Sequence, residues 1–217
     1  MTRSALLVPV GSGLFTLAWL VLGAVSPGYT LFGHTIAPYS WVSQPISGLG
    51  LGVTGPWMNT AFVVSGVLVA VGVLSGARSW HGRLGRAACV LLALLGVGMV
   101  VCGLFTLESI MLHLLGFVIA VPLPALGLVL AGVHLRGSST RLSAVGIVGG
   151  LVTLVLFVVF QATFDASGAG GNEGVSGLVQ RALVLTVMAA VSVLVVAVSR
   201  PPAAAAGATT ADRLSVG

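Results

Sequence analysis

Six runs of apolar residues divide the chain, at about 5–26, 57–77, 87–107, 111–135, 142–164 and 178–199, and nearly all charged side chains fall between them. A helix of about 20 such residues is as long as the hydrocarbon core of a bilayer is thick. The pattern therefore predicts an all-α, polytopic membrane protein with six transmembrane helices. Only 6% of the 217 residues are charged, which excludes an ordinary soluble globule, where about 25% would be. Residues 1–199 are expected to form one six-span membrane domain. The Ala/Gly/Thr-rich residues 200–217, opening with Arg200-Pro201-Pro202, are expected to form a disordered cytoplasmic tail.

The first run ends in Ala24-Val25-Ser26, which looks like a small-residue cleavage site. It is longer than the apolar core of a signal peptide, about 7–15 residues, and Pro27 follows directly, so it is read as an uncleaved span. All nine basic residues are Arg, and eight of them (Arg3, Arg78, Arg83, Arg86, Arg136, Arg141, Arg200, Arg213) fall on one side of a six-span arrangement. Arg181 alone falls near the other. The positive-inside rule places both termini in the cytoplasm, and such scattered arginines point to orientation rather than to nucleic acid. A multi-pass protein of the cell membrane is expected, with the lipid bilayer as its first partner.

Helices in lipid associate through close backbone approach at small residues. Gly66 with Ala70, Gly72 with Gly76, Gly98 with Cys102, Gly127 with Ala131 and Gly146 with Gly150 are pairs at that spacing, and their spread over most spans predicts intramolecular packing. Pro122 and Pro124 remove two backbone donors near the middle of the fourth run and predict a kink, freeing the carbonyls of Val118 and Ala120. Cys89 and Cys102 lie in one apolar run and read as small buried residues. The pentapeptide Gly-Leu-Phe-Thr-Leu at 13–17 and 103–107 lies at different depths, so it marks no repeat.

Polar character concentrates in the loop between the first two runs, above all in Pro38-Tyr39-Ser40-Trp41-Val42-Ser43-Gln44-Pro45-Ile46-Ser47-Gly48-Leu49-Gly50. The acids Glu108, Asp165 and Glu173 share its outer side, as do His34, Asn59, His113, Gln161 and Arg181. A polar cleft at the outer leaflet is the expected site, with Arg181, Glu108, His113, Asp165, Tyr39, Ser43 and Ser47 as candidate ligand-binding residues. Arg181 starts a span, where the positive end of the helix dipole opposes a cation, so Asp165, Glu108 or an anionic lipid headgroup is expected to compensate it; the alternative is a side chain reaching to water. Glu108 would favour the start of the fourth span by its charge alone. His113, about 140° round the helix from it, would find its partner on another element, in a structural or a functional role. Gly48, Gly50 and Gly52 give no phosphate-binding pattern, and an interfacial turn anchored by Tyr39 and Trp41 is the better reading.

The Tyr39-Ser40, Pro45-Ile46-Ser47 and Leu49-Gly50 elements, with Gly103-Leu104-Phe105 followed by Glu108 and His113, resemble a bacterial integral membrane family of unknown function, domain of unknown function family 998. The resemblance implies no settled activity. The chain has Gly48 where an Asp is frequent in that family, Thr106 where Pro is usual, and Gln180-Arg181 where Glu-Arg is usual. Two carboxylates of the presumed site are thereby missing.

Three functions compete. A non-enzymatic protein would bind a lipid headgroup or small amphiphile, or dock an envelope protein, in the outer cleft. An intramembrane metal-dependent hydrolase would use Ser47, Asp165 and His113, but only His34 and His113 lie on the outer side while His81 and His134 do not, short of the usual three zinc ligands. A small-molecule transporter is supported by the kinked fourth span but lacks paired broken helices and mid-depth charges. The first is preferred, with no cofactor, no metal and no catalytic residues expected; the sequence does not fix the oligomeric state.

Overall fold

The computed structural model describes residues 3–199; the expected tail, with Arg200, Asp212 and Arg213, lies outside the described residues. Among the described residues, six helices are long and apolar enough to cross a membrane, and the protein is a multi-pass membrane protein. They are α1 (Leu7–Val25), α2 (Gly55–Ser75), α3 (Gly82–Leu104), a span built of two helices, α4 (Ile110–Ala120) and α5 (Pro122–His134), then α6 (Thr140–Thr163) and α7 (Ser176–Val198). Consecutive spans pack antiparallel, and α7 returns against α1 to close the bundle. One face carries the ends near residues 5–8, 72–80, 134 and 199, where Gly72 meets Val8, Gly76 meets Ser199 and Trp80 lies against His134. This is the terminal face; the opposite one is the cap face.

Two boundaries differ from expectation. The third helix starts at Gly82, so Arg83 and Arg86 lie on its first turns and the connecting turn is only Gly76–His81. The fourth span does not merely bend but breaks at Val121 (φ −121°, ψ −72°), because Pro122 cannot donate to Val118 and Pro124 cannot donate to Ala120.

Small residues bring the backbones together. A Cβ on Gly66 would sit 2.6 Å from the Gly96 carbonyl, and one on Gly98 would collide with Gly116 and Ala120. Gly146 similarly faces Gly132 and the Leu128 carbonyl. These contacts join α2 to α3, α3 to α4 and α5 to α6, so the glycine pairs serve packing within the chain.

The loop from Ser26 to Thr54 holds regular structure that the hydropathy pattern did not reveal. Strands β1 (Tyr29–Leu31) and β2 (His34–Ile36) pair antiparallel, with Tyr29 opposite Ile36 and Leu31 opposite His34. Phe32 and Gly33 between them both take positive φ (48° and 84°), the conformation a two-residue hairpin turn requires. A tight turn at Ile46–Gly50 follows, and Tyr29, Leu31, Ile36, Tyr39, Ile46, Leu49 and Leu51 are all buried. The segment is thus a folded cap laid onto the bundle.

Candidate functional site

The cap is fastened to the first turns of α7, and Arg181 is the centre of that junction. Its Nη1 donates to the carbonyls of Trp41 (2.8 Å), Gln44 (2.9 Å) and Gly177 (2.8 Å), and its Nη2 to the Tyr39 hydroxyl (2.6 Å). The rings of Trp41, Trp19 and Tyr39 surround the guanidinium at 5.2, 5.4 and 5.8 Å. The side chain is only 5% exposed, so it does not reach to water. The expectation that Asp165 or Glu108 would pair with it is corrected: its hydrogen-bond partners are backbone carbonyls and a phenol. A guanidinium fork suits this task, since its planar donors reach several acceptors at once and its faces attract π-systems. Nε has no acceptor, a local cost that the rest of the cage offsets.

Neighbouring residues complete the junction. The Ile46 amide donates to Gln180 Oε1 (2.5 Å), Ser176 Oγ to the Ser43 carbonyl (2.6 Å) and the Leu178 amide to the Val42 carbonyl (3.0 Å). Gln44 Nε2 donates to the Pro38 carbonyl and to Asn172 Oδ1, each at 3.1 Å. A Cβ on Gly177 would collide with the Gln44 backbone, so only glycine lets cap and helix approach this closely. Tyr39 in turn donates to the Pro45 carbonyl at 3.1 Å. Burial raises the Tyr39 pKa above its ordinary value, opposed in part by the charge and hydrogen bond of Arg181. Burial raises that of Tyr29 as well, with Tyr39 adding to the effect.

Beneath the cap lies an interior cavity of about 40 Å³. Its surface is almost wholly apolar, though Ser47 of the cap, His113 at the end of the first turn of α4 and Gln180 on the second turn of α7 are among the residues around it. Phe15, Phe62, Met99, Phe117 and Met188 are among its apolar walls. His113 Nδ1 lies 2.7 Å from the Phe105 carbonyl, which can only accept, so Nδ1 carries the proton. A second hollow, of about 390 Å³, opens on the bundle's flank between α1 and α7, where Ser12 and Ser192 hydroxyls meet at 3.3 Å. Met188 lines both spaces.

The sequence-derived residues therefore divide. Ser47 and His113 line the cavity, Tyr39 grips Arg181, and Arg181 itself lies outside the cavity lining. Ser43 is buried beside a separate small pocket that Asp165 and Glu173 also line. Asp165 is exposed and accepts from Ser167 N (2.9 Å), Ser167 Oγ (2.7 Å) and Gly170 N (2.7 Å). Those bonds, led by the one from Gly170, hold its pKa below the usual carboxylate value. Glu108 is exposed in the short connection before α4. A single cleft collecting all seven residues is not what forms. Among the described residues, no three His, Cys, Asp or Glu side chains come together in a way that could hold a metal. Gln180, about one turn beyond Ser176, enters the sequence reading only as the amide that stands where the family usually has Glu, and not among the candidate ligand-binding residues.

The pattern of the family described as protein of unknown function (DUF998) matches residues 9–197, which takes in the cap, the cavity and all six spans. The chain belongs to this DUF998 family. No activity is established for DUF998, and no curated protein and no solved structure matches the chain.

Proposed function

We propose that this DUF998 protein is a non-enzymatic amphiphile-binding protein of the cell membrane, with the arginine-bearing terminal face in the cytoplasm and the cap outside. The positive-inside distribution of Arg3, Arg78, Arg83, Arg86, Arg136 and Arg141 supports the orientation. The observation that carries the binding reading is an interior cavity with almost wholly apolar walls, bordered by Ser47 of the cap, His113 of α4 and Gln180 of α7. Such a space fits the apolar part of an amphiphile. The space alone takes a few chain atoms. The chain then runs past Met188, an adaptable side chain, into the lipid-facing hollow between α1 and α7.

Arg181 enters this reading as the residue that latches the cap, with its cation spent on carbonyls and aromatic rings. An envelope protein would then meet the outer face beside the cap, where Glu108, Asp165 and Glu173 are exposed and would repel an anionic headgroup.

Native mass spectrometry of protein released gently from membranes tests the proposal. Wild type is expected to retain a defined amphiphile, and Val184→Phe, which fills the cavity from α7, is expected to lose it while keeping its melting temperature within a few degrees. A wild-type protein that carries no added mass under conditions that keep annular lipids attached would refute it.

A further inference from the structure

The small pocket between the cap and the loop that joins α6 to α7 differs in chemistry from the interior cavity. Its surface is mostly polar, and its volume of about 20 Å³ leaves room for one water-sized species. Hairpin and loop close it together. Gly168, at a positive φ of 82°, lies against Leu31 of β1, and a Cβ on Gly171 would collide with Ile36 of β2. Ser43 from the cap and Asp165 and Glu173 from the loop are among its walls.

Ser43 is 6% exposed, and its hydroxyl has no hydrogen-bond partner, although the carbonyl of the same residue accepts from Ser176 Oγ. A buried hydroxyl in that state is costly unless the pocket supplies a partner. Asp165 also has capacity left. Its Oδ1 accepts from both Ser167 N and Ser167 Oγ, whereas Oδ2 accepts only from Gly170 N, so one of the carboxylate's roughly four acceptor positions remains.

No Arg, His, Cys or Met lines the pocket, and the polar side chains that do all end in oxygen. Oxygen without nitrogen or sulfur suits a hard cation rather than a transition metal. Two carboxylates with no basic side chain among the lining residues favour a double charge. Calcium tolerates irregular geometry and completes its shell with carbonyl and water oxygens, so two carboxylates suffice, where magnesium demands a near-ideal octahedron.

We propose that this pocket binds one divalent cation of the calcium class through Glu173, Asp165 and the Ser43 hydroxyl. The ion joins the cap to the α6–α7 loop. It is a second fastening for the cap, one residue from the Gln44 carbonyl that Arg181 holds, and it does not depend on amphiphile binding.

Calorimetric titration of calcium chloride into the full-length protein in detergent, after treatment with a chelator, tests the assignment. Saturable binding is expected at about 0.1–1 mM, as in other modest all-oxygen sites, together with a higher melting temperature. Glu173→Gln, at an exposed position, is expected to keep the melting temperature of the calcium-free protein and to bind calcium about tenfold more weakly. Ser43→Ala removes a hydroxyl that bonds no protein group, so it too should leave the calcium-free protein as stable as before while weakening binding. Glu108→Gln, which removes an exposed acid that does not line the pocket, should bind as wild type does. Absence of saturable binding up to about 10 mM calcium, well above the range of such sites, overturns the proposal. So does binding that Glu173→Gln and Ser43→Ala leave unchanged, or that Glu108→Gln weakens as much as Glu173→Gln.

Discussion

Arg181 and Tyr39, 142 residues apart in sequence, meet through a 2.6 Å hydrogen bond from Nη2 to the phenol oxygen, and the phenol donates in turn to the Pro45 carbonyl at 3.1 Å. This relay ties the last span to the middle of the first loop. A buried cation without a carboxylate is tolerated because it serves as a multidentate donor to a loop whose carbonyls would otherwise lack partners.

Arg181→Leu is expected to free the cap by removing four charge-assisted bonds together, a loss of about 3 kcal/mol or more in stability. Arg181→Lys should fall between, since an ammonium cannot span three carbonyls and a phenol in a plane. Hydrogen exchange over Tyr39–Ile46, faster in the order wild type, Lys, Leu, is the measurement; equal exchange in all three would exclude the latch.

Gly177→Ala places a methyl group against the Gln44 backbone. The cap cannot then seat on α7 without a backbone shift, and about 1–3 kcal/mol of stability should be lost, as for other overpacked contacts. Gly137→Ala, at a position with open space around it, is the matched control and should change the melting temperature little.

Gly48→Asp restores a residue type frequent in the family's first-loop motif. Here it would fail, because a Cβ at this position lies 2.6 Å from the Tyr29 ring. Tyr29→Ala combined with Gly48→Asp should recover part of the lost thermal stability, measured as a melting temperature above that of Gly48→Asp alone.

The chain has two tyrosines, and both are buried in the cap. Their pKa values are raised, so the neutral phenol is the form the folded cap holds. The stability this contributes is fully present below the ordinary tyrosine value of about 10 and is lost as pH rises through the folded values. Alkaline titration followed by tyrosinate absorbance should show no ionisation near pH 10 in wild type. Earlier ionisation of Tyr29 would be expected in Arg181→Leu, where the cap is loose.

The six spans were legible because a bilayer imposes one length and one polarity on every crossing, and the packing role of Gly66, Gly98 and Gly146 followed from their spacing. The disruption of the fourth span at Pro122 was legible as a kink, for the similarly local reason of a missing donor, but not as a full break into two helices. The cap was not. Tyr29–Ile36 is too short and too mixed to signal a hairpin against a membrane background, and it packs against Gly168 and Gly171, more than a hundred residues away. Arg181 stood out by breaking the charge asymmetry, and its burial was inferable only to that extent. Its partners were not, since carbonyls carry no sequence signature, and the search for a counter-charge led to Asp165 and Glu108 instead.

The most direct measurement is the rate at which the bound amphiphile leaves wild type and Arg181→Leu, followed by native mass spectrometry after dilution into ligand-free detergent. Arg181 does not line the cavity, so any effect of its removal must pass through the cap. Release from Arg181→Leu at least about tenfold faster than from wild type is the result expected of a latched cap over an amphiphile site. Equal release rates from the two proteins, with the same mass bound to both, would contradict it.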